Sequence, residues 1–194
     1  LKFLKSQYHP HFLFNALNTV YFQIDESNKA PRRTLEMISE LLRYQLYGGN
    51  QKVSILQEID YLKTYIALRK LRMSERLRLR VEFPPELNEL NIYPLLFLPL
   101  VENAFKYVGG DYQLDIIMKW ENNRISLFIR NSIPELSAED EALRKSVDKR
   151  QRKGIGLVNL RRRLSLLYPN KHRLETRKEE TEFVAELMIE IEDI

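Results

Sequence analysis

The chain has 194 residues, of which 44% are hydrophobic and 30% are charged, a composition typical of soluble globular proteins. It contains no cysteine, which excludes disulfide bonds, thiolate metal sites and a cysteine nucleophile. The net charge is only +4, and the longest apolar run, residues 92–101, falls short of the roughly 20 residues that a membrane-spanning helix needs. The length allows one compact domain or two small ones.

Residues 1–76 show almost only helical periodicity. Apolar residues recur at helical spacing from the first residue to about residue 24, and again over about 32–47. A third helix is predicted to begin after Ser54, because Ser54 and Gln57 have the spacing of a capping box. A few helices cannot bury all of their apolar stripes within this length unless they meet a partner, so we expect this region to form a dimer.

The hydrophobic period changes near residue 77 from helical to alternating, which predicts a second module over residues 77–194. The pattern predicts, in chain order, a strand around 79–83, a helix at about 100–108, a hairpin with its turn at 121–123, a helix that follows Gly156, and strands at about 172–178 and 182–191. The fold class is therefore α+β, with a helical module at residues 1–76 followed by an α/β module.

Two histidines flank a proline within the first predicted helix, in the stretch SQYHPHFLFNALN at residues 6–18. A proline inside a helix removes a backbone hydrogen bond and clashes with the preceding turn, at a cost of roughly 3 kcal/mol. An imidazole nitrogen is a competent nucleophile near neutral pH, so a histidine in this position suits covalent chemistry. We hypothesise that Pro10 loosens the helix around the reactive histidine. His172, the third histidine, is interpreted as a surface residue of a strand.

Two short patterns in the second module suit phosphate chemistry. Glu102, Asn103 and Lys106 share one edge of a predicted helix, and an asparagine offers the neutral oxygen that Mg²⁺ accepts as a ligand. Gly154 and Gly156 precede a helix N-terminus, where exposed N–H groups favour phosphate, although the Walker A sequence is missing. Each pattern alone is weak, because the solvated edge of a core helix explains the first pattern better and a simple turn also accounts for the two glycines.

Positive charge is concentrated between Arg144 and Arg163, where nine Lys or Arg residues accompany a single acid, Asp148. Such a cluster suits a polyanion, whether a nucleotide, a nucleic acid or a membrane surface, and it also suits a solvated basic loop. Because the cluster lacks interleaved aromatic residues and any known reading motif, we expect no nucleic-acid binding.

In combination these segments carry a specific resemblance. The segments PLLFLPLVENAFKYV and GIGLVNLRRRLSLLYP resemble the N box and the glycine-rich box of the ATP-binding domain that gyrase and sensor histidine kinases share, an α/β sandwich with a mixed sheet. The segments LKSQYHPHFLFNALNTV, ISELLRYQLYG and QEIDYLKTYIALRKLRM are similar to the LytS-like group of sensor histidine kinases. The resemblance extends from residue 1 to about residue 190.

The resemblance implies a transferase of a two-component system that autophosphorylates a histidine from Mg-ATP and passes the phosphoryl group to an aspartate of a response regulator. The phosphoacceptor would be His11, the histidine after the proline, whereas His9 is interpreted as structural. A homodimer is implied, as is a receiver domain as partner. Since the chain begins at Leu1 rather than Met, we expect a preceding segment that attaches this cytoplasmic part to the inner membrane.

The resemblance also implies roles for residues of the second module. Asn103 would hold Mg²⁺, and Glu102 would be catalytic by polarising water or assisting nearby. The nucleotide ligands that it implies are Asn103, Lys106, Tyr107, Asn131, Gly154, Gly156, Leu157, Asn159, Arg163 and Thr181. Among these, Thr181 matches the residue that closes the adenine pocket, although Glu180 replaces the glycine that usually precedes it.

One motif departs from the family pattern. The family commonly has an Asp-x-Gly-x-Gly box, whose aspartate accepts a hydrogen bond from the adenine amino group. Here the sequence is LFIRNSIPEL, which places Asn131 at the aspartate and Ile133 and Glu135 at the two glycines. An asparagine still accepts through its amide oxygen but carries no charge. The departure motivates an alternative, a degenerate kinase that acts as a signalling scaffold or dimerisation module with weak or no ATP binding.

Overall fold

The structure is a computed structural model that describes residues 10–47, 51–85, 87, 90–135 and 155–191. The helices in these ranges are α1 (Pro10–Gln23), α2 (Lys29–Tyr47), α3 (Ile55–Lys70), α4 (Leu98–Tyr107) and α5 (Ile155–Leu167). The strands are β1 (Val53–Ser54), β2 (Arg78–Glu82), β3 (Asn91–Ile92), β4 (Gln113–Glu121), β5 (Arg124–Ser132), β6 (His172–Lys178) and β7 (Glu182–Glu190). No helix within these ranges is both long and apolar enough to cross a lipid bilayer.

The main sheet has five strands in the order β2-β4-β5-β7-β6. Strands β2 and β4 are parallel, and the other neighbouring pairs are antiparallel, so the sheet is mixed. Along β5 the residues at every second position from Ile125 to Asn131 are buried, which is the alternation expected of a sheet with one covered face. The predicted α+β class with a mixed sheet is confirmed.

The hairpin of β4 and β5 closes through a tight turn at Asn122 and Asn123. Both residues have positive φ angles, 51° and 59°, which asparagine tolerates and which two-residue hairpin turns require. Register follows from the turn, with Glu121 paired to Arg124 and Leu114 paired to Asn131 at the far end. The hairpin predicted from the sequence is confirmed, and it carries Asn131 to the end of the sheet opposite the turn.

Helix α3 begins with the predicted capping box. The backbone N–H of Leu56 donates to the Ser54 hydroxyl, and the backbone N–H of Ser54 donates to the Gln57 side chain, both at 3.3 Å. Just before the helix, Val53 pairs with Ile92 in a small sheet of β1 and β3. Two-residue strands are too short to show a sequence period, and these were not predicted.

The core continues across the predicted boundary at residue 77. Ile55 and Leu62 of α3 are fully buried and belong to one hydrophobic cluster with Leu96 before α4 and Leu127 of the main sheet. Helix α3 therefore packs as part of the α/β module, although the sequence division assigns it to the helical module. The division at residue 77 stays a prediction.

Helices α1 and α2 form a helical hairpin that lies largely outside this core. The Tyr21 hydroxyl donates to Glu36 at 2.8 Å, and the Arg32 guanidinium donates to the carbonyl of Ile24. All residues of α1 and α2 are described, and among them only Leu41 is buried. The expectation that this region dimerises stays a prediction.

Candidate phosphoacceptor and nucleotide sites

His11 lies in the first turn of α1 and is exposed to solvent. Pro10, the residue before it, is the first residue that the structure describes. The side chain of Asn15, one turn further along, contacts the His11 ring, with its Nδ2 at 3.1 Å from Nδ1. His9 lies outside the described residues.

Helix α4 has a buried face and a polar edge, as its sequence predicts. Its buried side chains are Leu98, Leu100, Val101, Ala104 and Phe105. Glu102 and Lys106 are exposed, and Asn103 between them is half-buried. The Lys106 ammonium lies 5.3 Å from the centre of the Tyr107 ring. The predicted N-box residues therefore share one side of a helix that is otherwise anchored in the core.

Glu102 faces the region of α3. Partial removal from water raises the pKa of the Glu102 carboxyl, and the nearby Arg69 guanidinium opposes this rise. Its carboxyl in turn contributes to the raised pKa of Tyr61 and Tyr65 on α3, for which burial is the larger cause. The catalytic role of Glu102 stays a prediction.

The C-terminal end of α4 is tied to the end of β5. The Ser132 hydroxyl donates to the Gly109 carbonyl at 2.7 Å, and the Gly109 N–H donates to the Ser132 carbonyl at 3.0 Å. A Cβ atom at Gly109 would lie 2.9 Å from the ring of Pro134, so only glycine allows this approach. Sequence reasoning missed Gly109, and its signal was the glycine pair directly after the helix.

Asn131 is fully buried on the sheet face that the helices cover. Its Nδ2 donates to the Ser132 carbonyl at 3.2 Å, but its Oδ1 is buried with no hydrogen-bond partner among the described residues. A buried acceptor without a donor costs about 1–3 kcal/mol. The Asn131 amide oxygen is therefore an unsatisfied buried acceptor at the end of β5.

Thr181 lies at the same end of the sheet as Asn131. Its carbonyl accepts a hydrogen bond from the N–H of Ile133 at 2.8 Å, and the neighbouring Glu182 pairs with Ser132. The structure thus brings the predicted residues on α4, at the end of β5 and at the turn before β7 toward one region. The role of Thr181 as a ligand stays a prediction.

Helix α5 carries the residues of the predicted glycine-rich box, of which Gly154 lies outside the described residues. Gly156 and Asn159 are exposed, and a Cβ atom at Gly156 would meet nothing within 4 Å. Leu157 is half-buried and packs on the core, as the helical stripe predicts. Most of the basic cluster also lies outside the described residues.

Arg163 of α5 is engaged with the backbone before α4. Its guanidinium donates to the carbonyl of Pro94 at 2.7 Å and to that of Leu95 at 3.3 Å. Burial lowers the pKa of Arg163, and the nearby Glu58 carboxyl opposes this shift. Its predicted role as a direct nucleotide ligand stays a prediction, and the contacts observed here are with the protein itself.

Sequence reasoning also missed Glu58, a fully buried glutamate of α3. The Tyr44 hydroxyl donates to its Oε2 at 2.7 Å, and the N–H of Leu95 donates to the same oxygen at 2.9 Å. Burial raises the pKa of this carboxyl, while these hydrogen bonds oppose the rise. The signal in the sequence was the position of Glu58, which lies at helical spacing between the apolar residues Ile55 and Leu62, although exposed glutamates show the same spacing.

No group of three His, Cys, Asp or Glu side chains within the described parts of the chain is arranged to hold a metal ion. Mg²⁺ usually keeps several waters and binds through one or two protein oxygens and the substrate phosphates, and the role of Asn103 as its ligand stays a prediction. Asn103 offers such an oxygen at the half-buried edge of α4.

Residues 1–77 match the model of the histidine kinase family. The sensor protein kinase HptS of Staphylococcus aureus (strain USA300) is 29% identical over 179 residues, which cover 90% of this chain and 35% of HptS. The chain is therefore similar to histidine kinases over residues 1–77 and to a sensor protein kinase over 90% of its length. The chain spans about a third of the length of HptS.

Solved structures of histidine kinases also align with the chain. The catalytic domain of histidine kinase ThkA is 18% identical with a TM-score of 0.46, and the alignment covers 72% of this chain and 93% of that domain. Histidine kinase AdeS of Acinetobacter baumannii is 13% identical with a TM-score of 0.46, over 95% of this chain and 96% of AdeS. Likeness at these scores is too weak to carry an argument about function.

Proposed function

We propose that the chain is the kinase core of a sensor histidine kinase, in which His11 takes the γ-phosphoryl group of Mg-ATP and passes it to an aspartate of a response regulator. The structural observation that carries the proposal is the unpartnered Oδ1 of Asn131, a buried acceptor at the end of the sheet toward which α4 and Thr181 converge. The relationship to HptS over most of the chain supports it independently.

His11 suits the role of phosphoacceptor because it is exposed and its ring is oriented by Asn15. The contact engages Nδ1, so we assign the attack to Nε2. For Nε2 to have its lone pair, the ring proton must be on Nδ1. The Nδ1–H group then donates a hydrogen bond to the Asn15 side-chain oxygen, which requires the amide group to be rotated so that its oxygen and nitrogen exchange places. A bond then forms from Nε2 to the γ-phosphorus while the bond from phosphorus to the bridging oxygen breaks.

The nucleotide would lie between α4, α5 and the end of β5. Asn131 would accept from the adenine amino group, and Thr181 would close the pocket beside it. When bound, Mg²⁺ neutralises charge that develops on the phosphates. Asn103 would hold the ion, and the remaining ligands proposed are Lys106, Tyr107, Gly154, Gly156, Leu157 and Asn159.

The proposal includes partners and location. We propose a homodimer that associates through α1 and α2, since these helices leave large apolar side chains exposed, such as Phe12 at 74% and Phe22 at 78%. A receiver domain would approach His11 on this exposed surface. Attachment to the cytoplasmic side of the inner membrane would be through a segment outside this chain.

A second function is favoured by a specific observation, the replacement of the acidic adenine contact. Asn131 brings no charge, and Ile133 and Glu135 stand where glycines would allow the backbone to approach the base. A degenerate kinase that serves as a signalling scaffold would keep the fold and lose the nucleotide. Titration of the purified chain with Mg-ATP separates the two functions, because a scaffold shows no binding even at millimolar concentration.

The decisive experiment incubates the purified chain with γ-labelled ATP and Mg²⁺ and tests the chemistry of the label. A phosphorylated histidine is labile to acid and stable to base, since its N–P bond is a phosphoramidate. Label with these properties supports the kinase. An unlabelled chain that nevertheless binds Mg-ATP would contradict the proposed phosphoryl transfer, and a chain that binds no nucleotide would support the scaffold.

A further inference from the structure

A buried side chain of α3 holds the backbone that leads into the helix with the N-box residues. Helix α4 begins after Phe97, whose phenyl ring has no acceptor for the N–H groups of the first turn, and Pro99 in that turn has no N–H at all. The Glu58 carboxyl binds the segment directly before this uncapped first turn. It accepts from the N–H of Leu95, and the N–H groups of Phe97 and Leu96 also lie close enough to lower its pKa.

The backbone before α4 adopts a shape that needs external support. Leu95 has a φ of 58°, a left-handed conformation that a side chain other than glycine or asparagine rarely adopts. Successive N–H groups around such a residue turn toward one point and form a concave anion site. In this structure that point holds the carboxyl of Glu58, which comes from a different helix.

Arg163 holds the other side of the same backbone. Its guanidinium donates to the carbonyls of Pro94 and Leu95, while Glu58 accepts from the N–H of Leu95. The segment from residue 94 to residue 97 therefore lies between an acid from α3 and a base from α5. The preceding residue is fixed as well, because the N–H of Tyr93 donates to the Tyr168 hydroxyl at 3.2 Å.

Glu58 also connects this segment to α2. The Tyr44 hydroxyl donates to Glu58 Oε2, and the Tyr44 ring stacks on Tyr61 of α3 with their centres 4.6 Å apart. The other oxygen of Glu58, Oε1, is buried with no partner among the described residues, so the hydrogen bonds at Oε2 are those that hold the group. A shift of α2 relative to α3 would therefore change the hydrogen bond from Tyr44 to Glu58, whose carboxyl also accepts from the backbone before α4.

We propose that Tyr44, Glu58 and Arg163 are positioning residues that set the start of α4, so that the position of α2 controls the order of α4 and the nucleotide affinity of its Asn103 edge. Tyr44 of α2 donates the hydrogen bond that positions Glu58. Glu58 in turn binds the backbone that leads into α4, and Arg163 of α5 binds the same backbone from the other side. The part that concerns nucleotide affinity rests on the proposed function.

The test compares two tyrosine–glutamate pairs in the full chain. Tyr44→Phe removes the hydroxyl that donates to Glu58 and keeps the stacked ring. Tyr21→Phe is the matched control, because Tyr21 donates in the same way to Glu36 at 2.8 Å, but between α1 and α2 and at the surface. Hydrogen exchange of residues 95–101, followed by mass spectrometry without nucleotide, reports on the start of α4.

We expect Tyr44→Phe to accelerate exchange in residues 95–101 by about threefold to tenfold, the effect of losing one hydrogen bond, although Tyr44 does not belong to α4. Tyr21→Phe should leave these residues unchanged. In the same proteins, well below their melting temperatures, Kd for Mg-ATP should rise with Tyr44→Phe and not with Tyr21→Phe. The labelling rate at saturating ATP, compared between each variant and the parent chain, should change by a smaller factor than Kd.

Glu58→Gln is the second variant, and it should accelerate exchange in residues 95–101 at least as strongly as Tyr44→Phe if it folds. Unchanged exchange at these residues in Tyr44→Phe would overturn the proposal, as would an equal effect of Tyr21→Phe. If the parent chain binds no Mg-ATP, the proposed function fails, and the exchange result alone still decides whether α2 is coupled to α4.

Discussion

Helices α1 and α4 carry the two halves of the proposed reaction, and they differ completely in how they pack. All residues of α1 are described and none is buried, whereas five of the ten residues of α4 are buried. The difference has a chemical reason. A phosphoacceptor must be reached first by ATP and then by a response regulator, while residues that bind Mg²⁺ and nucleotide must be held in one geometry.

The two tyrosine–glutamate pairs repeat this contrast with identical chemistry. Tyr21 and Glu36 meet at the surface, whereas Tyr44 and Glu58 meet in the core, where Glu58 is fully buried. An exposed hydrogen bond exchanges easily with water and contributes little, but a buried one cannot be replaced by solvent. The same pair of residue types therefore serves as a surface contact in one place and as an interhelical connection in the other.

The largest effect is expected from the exposed helix. His11→Gln should abolish the acid-labile label, because the side chain supplies the nucleophile, while the free energy of unfolding should change by about 0.5 kcal/mol or less, as is usual for surface substitutions. Labelling with γ-labelled ATP and urea unfolding measure the two quantities. His9→Gln is the control and should still be labelled. Loss of label in His9→Gln together with its retention in His11→Gln would show that the acceptor is assigned wrongly.

Truncation tests where the packed region begins. Removal of residues 1–50 should leave a folded monomer that binds Mg-ATP, because the core formed by α3, α4, α5 and the sheet remains. Removal of residues 1–76 should prevent folding, since it deletes the buried face of α3, including Ile55 and Leu62. Light scattering and circular dichroism check both results. A dimer formed without residues 1–50 would contradict dimerisation through α1 and α2, and a folded 77–194 fragment would support the division at residue 77.

Single core substitutions give a finer version of the same comparison. Leu62→Ala should lower the free energy of unfolding by about 2–5 kcal/mol, because it leaves a cavity at the fully buried face of α3. Phe22→Ala removes a larger side chain from α1 but should cost about 0.5 kcal/mol or less, since Phe22 is 78% exposed. Urea unfolding of the two variants measures both values. Equal losses would mean that α1 is packed in solution, as it would be in a stable dimer.

Asn131 tests the proposed adenine contact. A neutral hydrogen bond contributes about 0.5–1.5 kcal/mol and one to a charged acceptor about 1.5–3 kcal/mol, so Asn131→Asp should tighten ATP binding by roughly tenfold at most. The gain should be larger for ATP than for GTP, whose ring has an oxygen in place of the amino group. Calorimetry with both nucleotides measures it. Equal ATP affinities in the parent chain and in Asn131→Asp would mean that this side chain does not face the base.

The smallest effect is a dependence of stability on pH. Burial raises the pKa of Glu58 in the folded chain above its unfolded value of about 4.3, so the folded state binds more protons between these two values. The free energy of unfolding should therefore fall as the pH rises through this window, and Glu58→Gln should remove that part of the slope. Urea unfolding over a pH series shows it as a difference between the two proteins.

Glu36→Gln is the control for this measurement, because Glu36 makes its hydrogen bond at the surface. Because Glu58 is intact in Glu36→Gln, the part of the slope that comes from Glu58 should remain. Glu102, whose pKa is also raised, is present in all three proteins and cancels in the comparison. A Glu58→Gln slope equal to that of the parent chain would mean that the carboxyl titrates alike in the folded and unfolded states.

The sequence by itself determined the elements whose signals are local. The capping box at Ser54 and Gln57, the hairpin turn at Asn122 and Asn123, and the polar edge of α4 at Asn103 were all predicted, because each depends on residues within a few positions of one another. The likeness to sensor histidine kinases was also recognisable at this level, since it is carried by contiguous motifs.

Only the tertiary structure decided which of these residues meet. Glu58 and Arg163 are separated by more than a hundred positions, yet both hold the backbone around Leu95, and no local pattern indicates that the two act on the same segment. The same holds for Gly109 beside Pro134 and for α3, which packs with residues from beyond the predicted boundary. Burial and pairing between distant segments depend on how the whole chain packs, and a periodicity of a few residues carries no information about that.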